Sequence, residues 1–384
     1  MCPVTNVIFL TSAAPESINR NFNFFQRVWF LSRDGEMRLT ILARRGADFS
    51  RAAVPEAKIV HARIPGKPGL FLLAFRFLLR SMFTRRAAGE RPVLLIEPSI
   101  LNLCGPFYKM FGYRWAVDVW DIPIRQTRFS GPFARFLFRL KKRLVRFSFR
   151  FADLFILSIR PELEFTFFRV PAEKVKTFRN AVFLPPGRPE RLPLTPRGGA
   201  PFEIICVRST YTGLMGLDIL TRAFLKLTAA VPDCRLTVIG VIPREIEPQI
   251  EPIRGLENVR FIPQVPNEQL QKMIASSHTM VIPFRRTPDL EQTYPIKLFE
   301  AMLRGAVPVV PALAGICAVI RHGENGLVYT PDSPDALAAA LARLYDDDPL
   351  RIRLAERAYG EIGEFDCAEK NRRIAALLKE LARK

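Results

Sequence analysis

Residues 294–315 read YPIKLFEAMLRGAVPVVPALAG. Pro295 leads into IKLFEAMLR, a short segment with helical periodicity that carries one carboxylate, Glu300. Gly305 ends it, and the β-branched run VPVVP follows before a second glycine, Gly315. A proline at the start, a glycine at the end and a short apolar run beyond describe a helix that delivers the chain into a buried parallel strand. Such a helix begins at the carboxyl edge of the preceding strand. There its first N–H groups have no intrahelical partner and carry partial positive charge, which suits a diphosphate. Glu300, about one and a half turns in, can accept hydrogen bonds from two ribose hydroxyls.

The pattern repeats outward from this stretch. Strand-like segments FEIICVRS (202–209), RLTVIG (235–240), VRFIPQV (259–265) and TMVIPF (279–284) alternate with helical ones, as do VPVVPA (307–312) and GLVYT (326–330). The first half reads the same way, from VIFLTS (7–12) through RLTILAR, AKIVHARI, PVLLIEP and RWAVDVWD to ADLFILS and KVKTFRNAV (174–182). Strand–helix alternation predicts parallel, doubly wound sheets. The stretch LPPGRPERLPLTPRGGAP (184–201) is dense in Pro and Gly and reads as a linker. The expected organisation is residues 1–190, a linker at 191–200, residues 201–360, and a terminal helix at 361–384 that packs back on the first domain.

Composition constrains partners. The chain has 384 residues, 49% of them apolar, enough for two cores. Its net charge of +20 lies in residues 1–200, which hold 34 Lys and Arg against 14 Asp and Glu; residues 201–384 hold 23 of each. Of 31 phenylalanines, 25 fall in the same first 200 residues. The first half therefore meets an anionic, partly apolar partner, and the second does not. The N-terminus has no basic leader with a long apolar run, and no stretch reaches the roughly 18 uncharged apolar residues of a membrane span. Six scattered cysteines read as reduced thiols in a cytoplasmic protein, and three scattered histidines argue against a His/Cys metal site.

The stretch YPIKLFEAMLRGAVPVV, followed by GICAVIRHGENGLVYTPDSPDALAAAL, resembles glycosyltransferases of family 4, and so do CVRSTYTGLMGLDILTRAFLKL and VRFIPQVPNEQLQKMIASSHTMVIPF in their order and spacing. The resemblance covers the second half throughout and the first half mainly over 114–183. It implies an α/β fold of the GT-B type, with two Rossmann-like doubly wound domains facing a central cleft. It also implies a retaining transfer from a nucleotide sugar to a saccharide or lipid-linked acceptor, with no metal and no cofactor beyond the nucleotide-sugar co-substrate. Carried over by position, Glu300 is the ribose ligand, Lys297 and Arg208 lie near the diphosphate, and Gly240 marks a strand end near the donor. Gln292, Thr293 and Tyr294 complete the expected donor set, and Asp121 is an acceptor-side candidate beside Glu300 and Arg208 in catalysis. Three positions depart from the family pattern. Gln292 stands for a glutamate, Met215 for a phosphate-binding lysine and Trp120 for a histidine. Asp118 flanks the same strand end as Asp121, and Asp346–Asp348 reads as a solvated helix stop rather than a metal motif.

Residues 133–151, FARFLFRLKKRLVRFSFRF, plotted at 100° per residue, put Phe133, Phe136, Leu137, Leu140, Leu144, Phe147 and Phe151 on one face. That face is expected to pack on the sheet. Arg135, Arg139, Lys142 and Arg146, with Phe138 and Phe149 beside them, are then left for an anionic membrane surface, and 69–86 supplies a second contact. This places the protein at the inner face of the cell membrane. A nucleic-acid-binding protein is the competing reading of the charge, disfavoured because no nucleic-acid motif is present. A non-catalytic, membrane-surface relative is the competing reading of Gln292, Met215 and Trp120.

Overall fold

A computed structural model describes residues 4–11, 23–43, 45, 49, 56–63, 66–85, 91–97, 100–119, 132–158, 170–184 and 196–384. The chain forms two compact units, Met1–Phe183 with Cys367–Lys384, and Leu184–Asp366.

The first unit holds a seven-stranded parallel sheet. Its strands are β1 (Thr5–Leu10), β2 (Met37–Ala43), β3 (Lys58–His61), β4 (Val93–Ile96), β5 (Arg114–Val119), β6 (Leu154–Leu157) and β7 (Val175–Thr177), in the order β3-β2-β1-β4-β5-β6-β7. The central strands are apolar on both faces because both are covered, as a parallel sheet requires. One face packs on α1 (Asn23–Ser32) and on α11 (Cys367–Arg383), the last helix of the chain. The other face packs on α2 (Gly66–Arg85), α3 (Gly105–Met110) and α4 (Pro132–Phe149).

Helix α11 is held to this unit by buried polar contacts as well as by Ile374 and Leu378. Arg27 of α1 makes two bonds to Asp118 of β5, at 2.7 and 3.1 Å, and donates to Asn371 of α11 at 2.5 Å. Lys370 donates to Gln26 at 2.8 Å, and Gln26 donates to the Ala181 carbonyl at 2.9 Å. Burial, with Arg27 nearby, pushes Lys370 down to about 7. Asp118 is fully buried in this pairing and is structural, so it is not an acceptor-facing group.

Helix α4 reverses the expected orientation. The side that enters the core carries Val145, Ser148 and Phe149, packed with Trp115 and Phe155. Ser148 donates to the Asn102 carbonyl, and Gly105 leaves room for the Trp115 ring. Phe149 is 1% exposed and cannot be a surface contact, contrary to the sequence-based expectation. Phe133, Phe136, Leu137, Leu140, Leu144, Phe147 and Phe151, expected in the core, are instead 39–70% exposed. The helix carries two apolar stripes. Periodicity identifies both but does not rank them. Ser148, between Val145 and Phe149, lets that stripe approach its neighbours closely, and the larger stripe stays outside.

The second unit holds a six-stranded parallel sheet. Its strands are β8 (Phe202–Thr210), β9 (Cys234–Val241), β10 (Val259–Ile262), β11 (Thr279–Val281), β12 (Val307–Pro311) and β13 (Leu327–Tyr329), in the order β10-β9-β8-β11-β12-β13. The helices are α5 (Leu217–Ala230), α6 (Asn267–Ala275), α7 (Ile296–Arg304), α8 (Ala314–Cys317), α9 (Pro334–Asp346) and α10 (Asp348–Glu361). Asp347 caps α10 by accepting from Leu350 N at 2.8 Å, and Asp348 accepts from Arg197 N at 2.7 Å and from Arg351 at 2.8 Å. Asp346 and Asp347 are exposed, as a solvated stop requires, whereas Asp348 is half-buried and tied to Arg197 and Arg351.

His278 lies at the amino-terminal edge of this sheet, stacked on Phe202 with ring centroids 5.6 Å apart. Its Nδ1 accepts from Glu203 N at 2.9 Å. Burial, with Arg351 and Arg197 nearby, pushes it down to about 4. Its folded value lies below its unfolded one, so the neutral ring stabilises the fold fully above the unfolded value near 6.5. That stabilisation is lost as pH falls towards 4. After discounting for partial exposure the loss is ~1–2 kcal/mol. Urea midpoints of wild type and His278→Asn should therefore converge between pH 7 and 4.5; parallel losses would contradict this.

Candidate functional site

Strand order in the second sheet reverses direction between β8 and β11. Loops leaving the carboxyl ends of such a pair diverge to opposite faces and open a crevice, the general ligand position of doubly wound sheets. The loops at this edge are 211–216 after β8, 282–295 after β11, 312–313 after β12 and 330–333 after β13.

Two groups of expected site residues form there. The first is Arg208, near the end of β8, with Gly240 of β9. Gly240 has φ +136°, and a Cβ on it would lie 2.0 Å from the Arg208 carbonyl. The glycine thus serves the close approach of two strands and sets where Arg208 sits. The Arg208 guanidinium lies 4.5 Å from the Phe284 ring centroid and 2.9 Å from Met215 Sδ. Met215 therefore supplies no charge of its own but lines the Arg208 side chain. Neither Glu203 nor Asp218 holds Arg208 as an ion pair: Glu203 meets Arg235, and Asp218 meets Arg222 and Arg285.

The second group is on α7. Pro295 is its extended N-cap and Gly305, at φ +80°, ends it. Lys297 Nζ lies 2.6 Å from Glu300 Oε2. Glu300 is 0% exposed, so it is a buried carboxylate and not a surface one. This places a charge-assisted pair in the first turns of a helix whose N-terminus is at the carboxyl edge.

The preceding turn behaves differently from expectation. Thr293 N–H is already donated to the Leu290 carbonyl, and Leu298 N–H to the Pro295 carbonyl. Those amides are not open donors. Gln292 is exposed, while its backbone lies against Gly315, where a Cβ would come within 2.4 Å of the Gln292 carbonyl carbon. Gly315 N donates to the Glu291 carbonyl at 2.8 Å, and Ala314 N to Glu291 Oε1 at 3.1 Å. Glu291 and Gly315 thus build this turn, a role not read from the sequence. Tyr294 is half-buried beside it. Asp121 and Trp120 lie outside the described residues, as do the side chains of Arg135, Phe138 and Lys142. In α4, Arg139 is exposed and Arg146 is half-buried.

Nothing in this sheet suggests covalent catalysis by sulfur. Cys206 is buried beneath Tyr211, whose hydroxyl donates to the Cys206 carbonyl, and burial pushes the thiol up to about 11. His322 is held in a turn, its Nδ1 accepting from Val328 N at 3.1 Å. Among the described residues, no three His, Cys, Asp or Glu side chains cluster to hold a metal. No helix among them is long and apolar enough to cross a membrane.

Residues 201–347 match the family described as Glycosyl transferases group 1. A D-inositol 3-phosphate glycosyltransferase of Nocardioides sp. is 28% identical over 158 residues, 37% of this chain and 33% of that protein. A phosphatidyl-myo-inositol mannosyltransferase of Mycolicibacterium smegmatis is 28% identical over 152 residues, 39% of this chain and 38% of its own. The chain therefore aligns with little more than a third of these relatives. Among solved structures, the Anabaena protein HepE in complex with UDP and glucose superposes with a TM-score of 0.68 at 16% identity, over 98% of this chain and 100% of that one.

Proposed function

We propose that this chain, whose residues 201–347 match the family described as Glycosyl transferases group 1 and whose fold is of the GT-B type, is a retaining glycosyltransferase. It takes a sugar from a nucleotide sugar and transfers it to a lipid-linked or membrane-surface saccharide in glycan synthesis. The observation that carries this reading is the pair of buried Glu300 and half-buried Lys297 at the carboxyl edge that also holds Arg208. In it, Glu300 accepts from the ribose hydroxyls, and Arg208 with Lys297 stabilises charge that develops on the departing diphosphate. No carboxylate or thiol is arranged as a nucleophile in the described part of this sheet. That favours front-face attack, in which the departing phosphate takes the acceptor's proton.

The acceptor side rests on α4. Six large apolar side chains exposed along α4, with Phe151 just beyond it, form a strip of the kind that marks an interaction surface on soluble proteins. Leu72 and Phe75 of α2, and Phe107 and Met110 of α3, are exposed on the same layer of helices. Arg139, Arg143 and Arg150 are exposed beside the strip, and no acidic residue occurs between Asp121 and Asp153. An apolar strip with exposed arginines beside it fits the anionic interface of a membrane.

A nucleotide-sugar panel assayed for transfer into membrane extract tests the reaction. Incorporation from one donor, retained in chelator, is the expected result. Strict dependence on added magnesium or manganese would contradict it.

A further inference from the structure

Arg285, in the loop after β11, lies at the reversal of strand order, and its bonds reach three neighbouring segments. Its backbone N donates to the Leu214 carbonyl at 3.1 Å, and its Nε to the Gly213 carbonyl at 3.1 Å. Its guanidinium meets Asp218 Oδ2, in the first turn of α5, at 2.5 Å and Asp332 Oδ1, after β13, at 3.4 Å. Asp332 has φ +60°, the one left-handed non-glycine among the described residues, so the turn is set in a strained form. The adjacent Arg286 continues the tie. Its N donates to Asp332 Oδ2 at 3.1 Å, its side chain donates to the Ala312 carbonyl after β12, and its Nε lies 3.5 Å from Glu291. The loops after β8, β11, β12 and β13 are thereby joined through two consecutive arginines.

The 211–216 loop also carries Met215, which touches Arg208. Gly216, at φ +65°, lies so close to Pro283 that a Cβ would sit 1.7 Å from its carbonyl oxygen. The loop is anchored at its start by the buried Tyr211, while its tip, exposed from Thr212 to Leu214, is held against the β11 loop by Arg285. Arg285 is itself neutralised by Asp218 and Asp332, which makes it a poor counter-ion for a ligand.

We propose that Arg285 is a positioning residue of the donor site: it fixes the 211–216 loop, and through Met215 the Arg208 guanidinium, in the geometry that receives a nucleoside diphosphate. This rests on the reading of the site given above.

The test titrates UDP, GDP, ADP and CDP calorimetrically into the full chain and into Arg285→Gln, Arg285→Lys and Arg222→Gln. Hydrogen exchange of peptide 211–217 is followed without ligand. Arg222→Gln removes the other cation on Asp218, which lies on the exposed face of α5. The expected result is binding of one diphosphate by wild type and about tenfold weaker or less by Arg285→Gln, the cost of an unfixed loop. Exchange at 211–217 should speed up in that variant. Arg285→Lys should fall between, because a compact ammonium does not span acceptors as widely spaced as those a planar guanidinium reaches, and Arg222→Gln should match wild type. If Arg285→Gln does not fold, the isosteric Asp332→Asn decides, with the same expected loss. Unchanged affinity, unchanged exchange at 211–217, or an equal loss in Arg222→Gln would overturn the assignment of Arg285 while leaving the donor site standing. Failure of wild type to bind any of the four would overturn both.

Discussion

Glu300→Gln is expected to lower transfer by two orders of magnitude or more while leaving the protein folded. The glutamine keeps the shape of a side chain that is wholly buried, and it removes the charge paired with Lys297 at 2.6 Å. Replacing a charged acceptor by a neutral one weakens each hydrogen bond to a ribose hydroxyl and the field at the diphosphate, while the amide oxygen still accepts from Lys297; the loss is about 3–4 kcal/mol in total, or ~100- to 1000-fold. Glu300→Ala is a poorer probe. From sequence, Glu300 reads as a cleft carboxylate whose removal costs little stability. In the fold it is buried against a half-buried lysine, and deletion leaves a cavity beside an unpaired charge, at a cost of about 3 kcal/mol or more. Loss of activity in Glu300→Ala would therefore mix two causes. Calorimetric melting of both variants separates them: Glu300→Gln should melt within a few degrees of wild type and Glu300→Ala well below it. Wild-type turnover in folded Glu300→Gln would remove Glu300 from the donor site.

Leu140→Ser with Leu144→Ser should abolish binding to anionic vesicles without destabilising the protein. Both leucines are more than two-fifths exposed, so neither contributes much to the core. Withholding two leucines from the membrane interface costs about 2–4 kcal/mol, ~30- to 1000-fold in partitioning. Reversing Arg139 or Arg143 costs about 1–2 kcal/mol each and makes the residual binding less sensitive to salt. The larger effect belongs to the apolar strip, which inverts the sequence-based expectation that the basic residues lead. Flotation with vesicles of neutral lipid and with vesicles rich in anionic lipid, whose negative surface potential is what attracts basic residues, reads both effects. Equal binding to both vesicle types would contradict the role of the arginines. A dimer by sedimentation that the same leucine changes dissolve, with no vesicle binding, would assign the strip to a second copy of the chain.

Most strands and helices were legible because a buried parallel strand is short, β-branched and bounded by turn residues, as in VPVVP or LFIL. The site on α7 was legible for a related reason: Pro295, Glu300 and Gly305 each has a positional meaning within one helix. What stayed hidden depends on contacts distant in sequence. That Glu300 is buried follows from packing, and no local pattern encodes it. Arg285 and Arg286 look like any surface pair until their partners at 213, 218, 312 and 332 are brought to one edge. Helix α4 shows the limit of periodicity most plainly. Its moment gives the direction of an apolar stripe, whereas Ser148 and Gly105, two small residues 43 positions apart, decide which stripe docks. A small residue between two apolar ones at i and i+4 was the available signal, and it was outweighed by the number of phenylalanines on the other side.

We propose that a nucleoside diphosphate is held at the carboxyl edge between β8 and β11. Hydrogen-exchange mass spectrometry of the full chain, with and without a saturating nucleoside diphosphate, tests it directly. Slowed exchange is expected in peptides covering 207–217 and 284–300, with 133–151 unchanged. Absence of ligand-dependent protection in both of those peptides, or protection confined to the first unit, would contradict it.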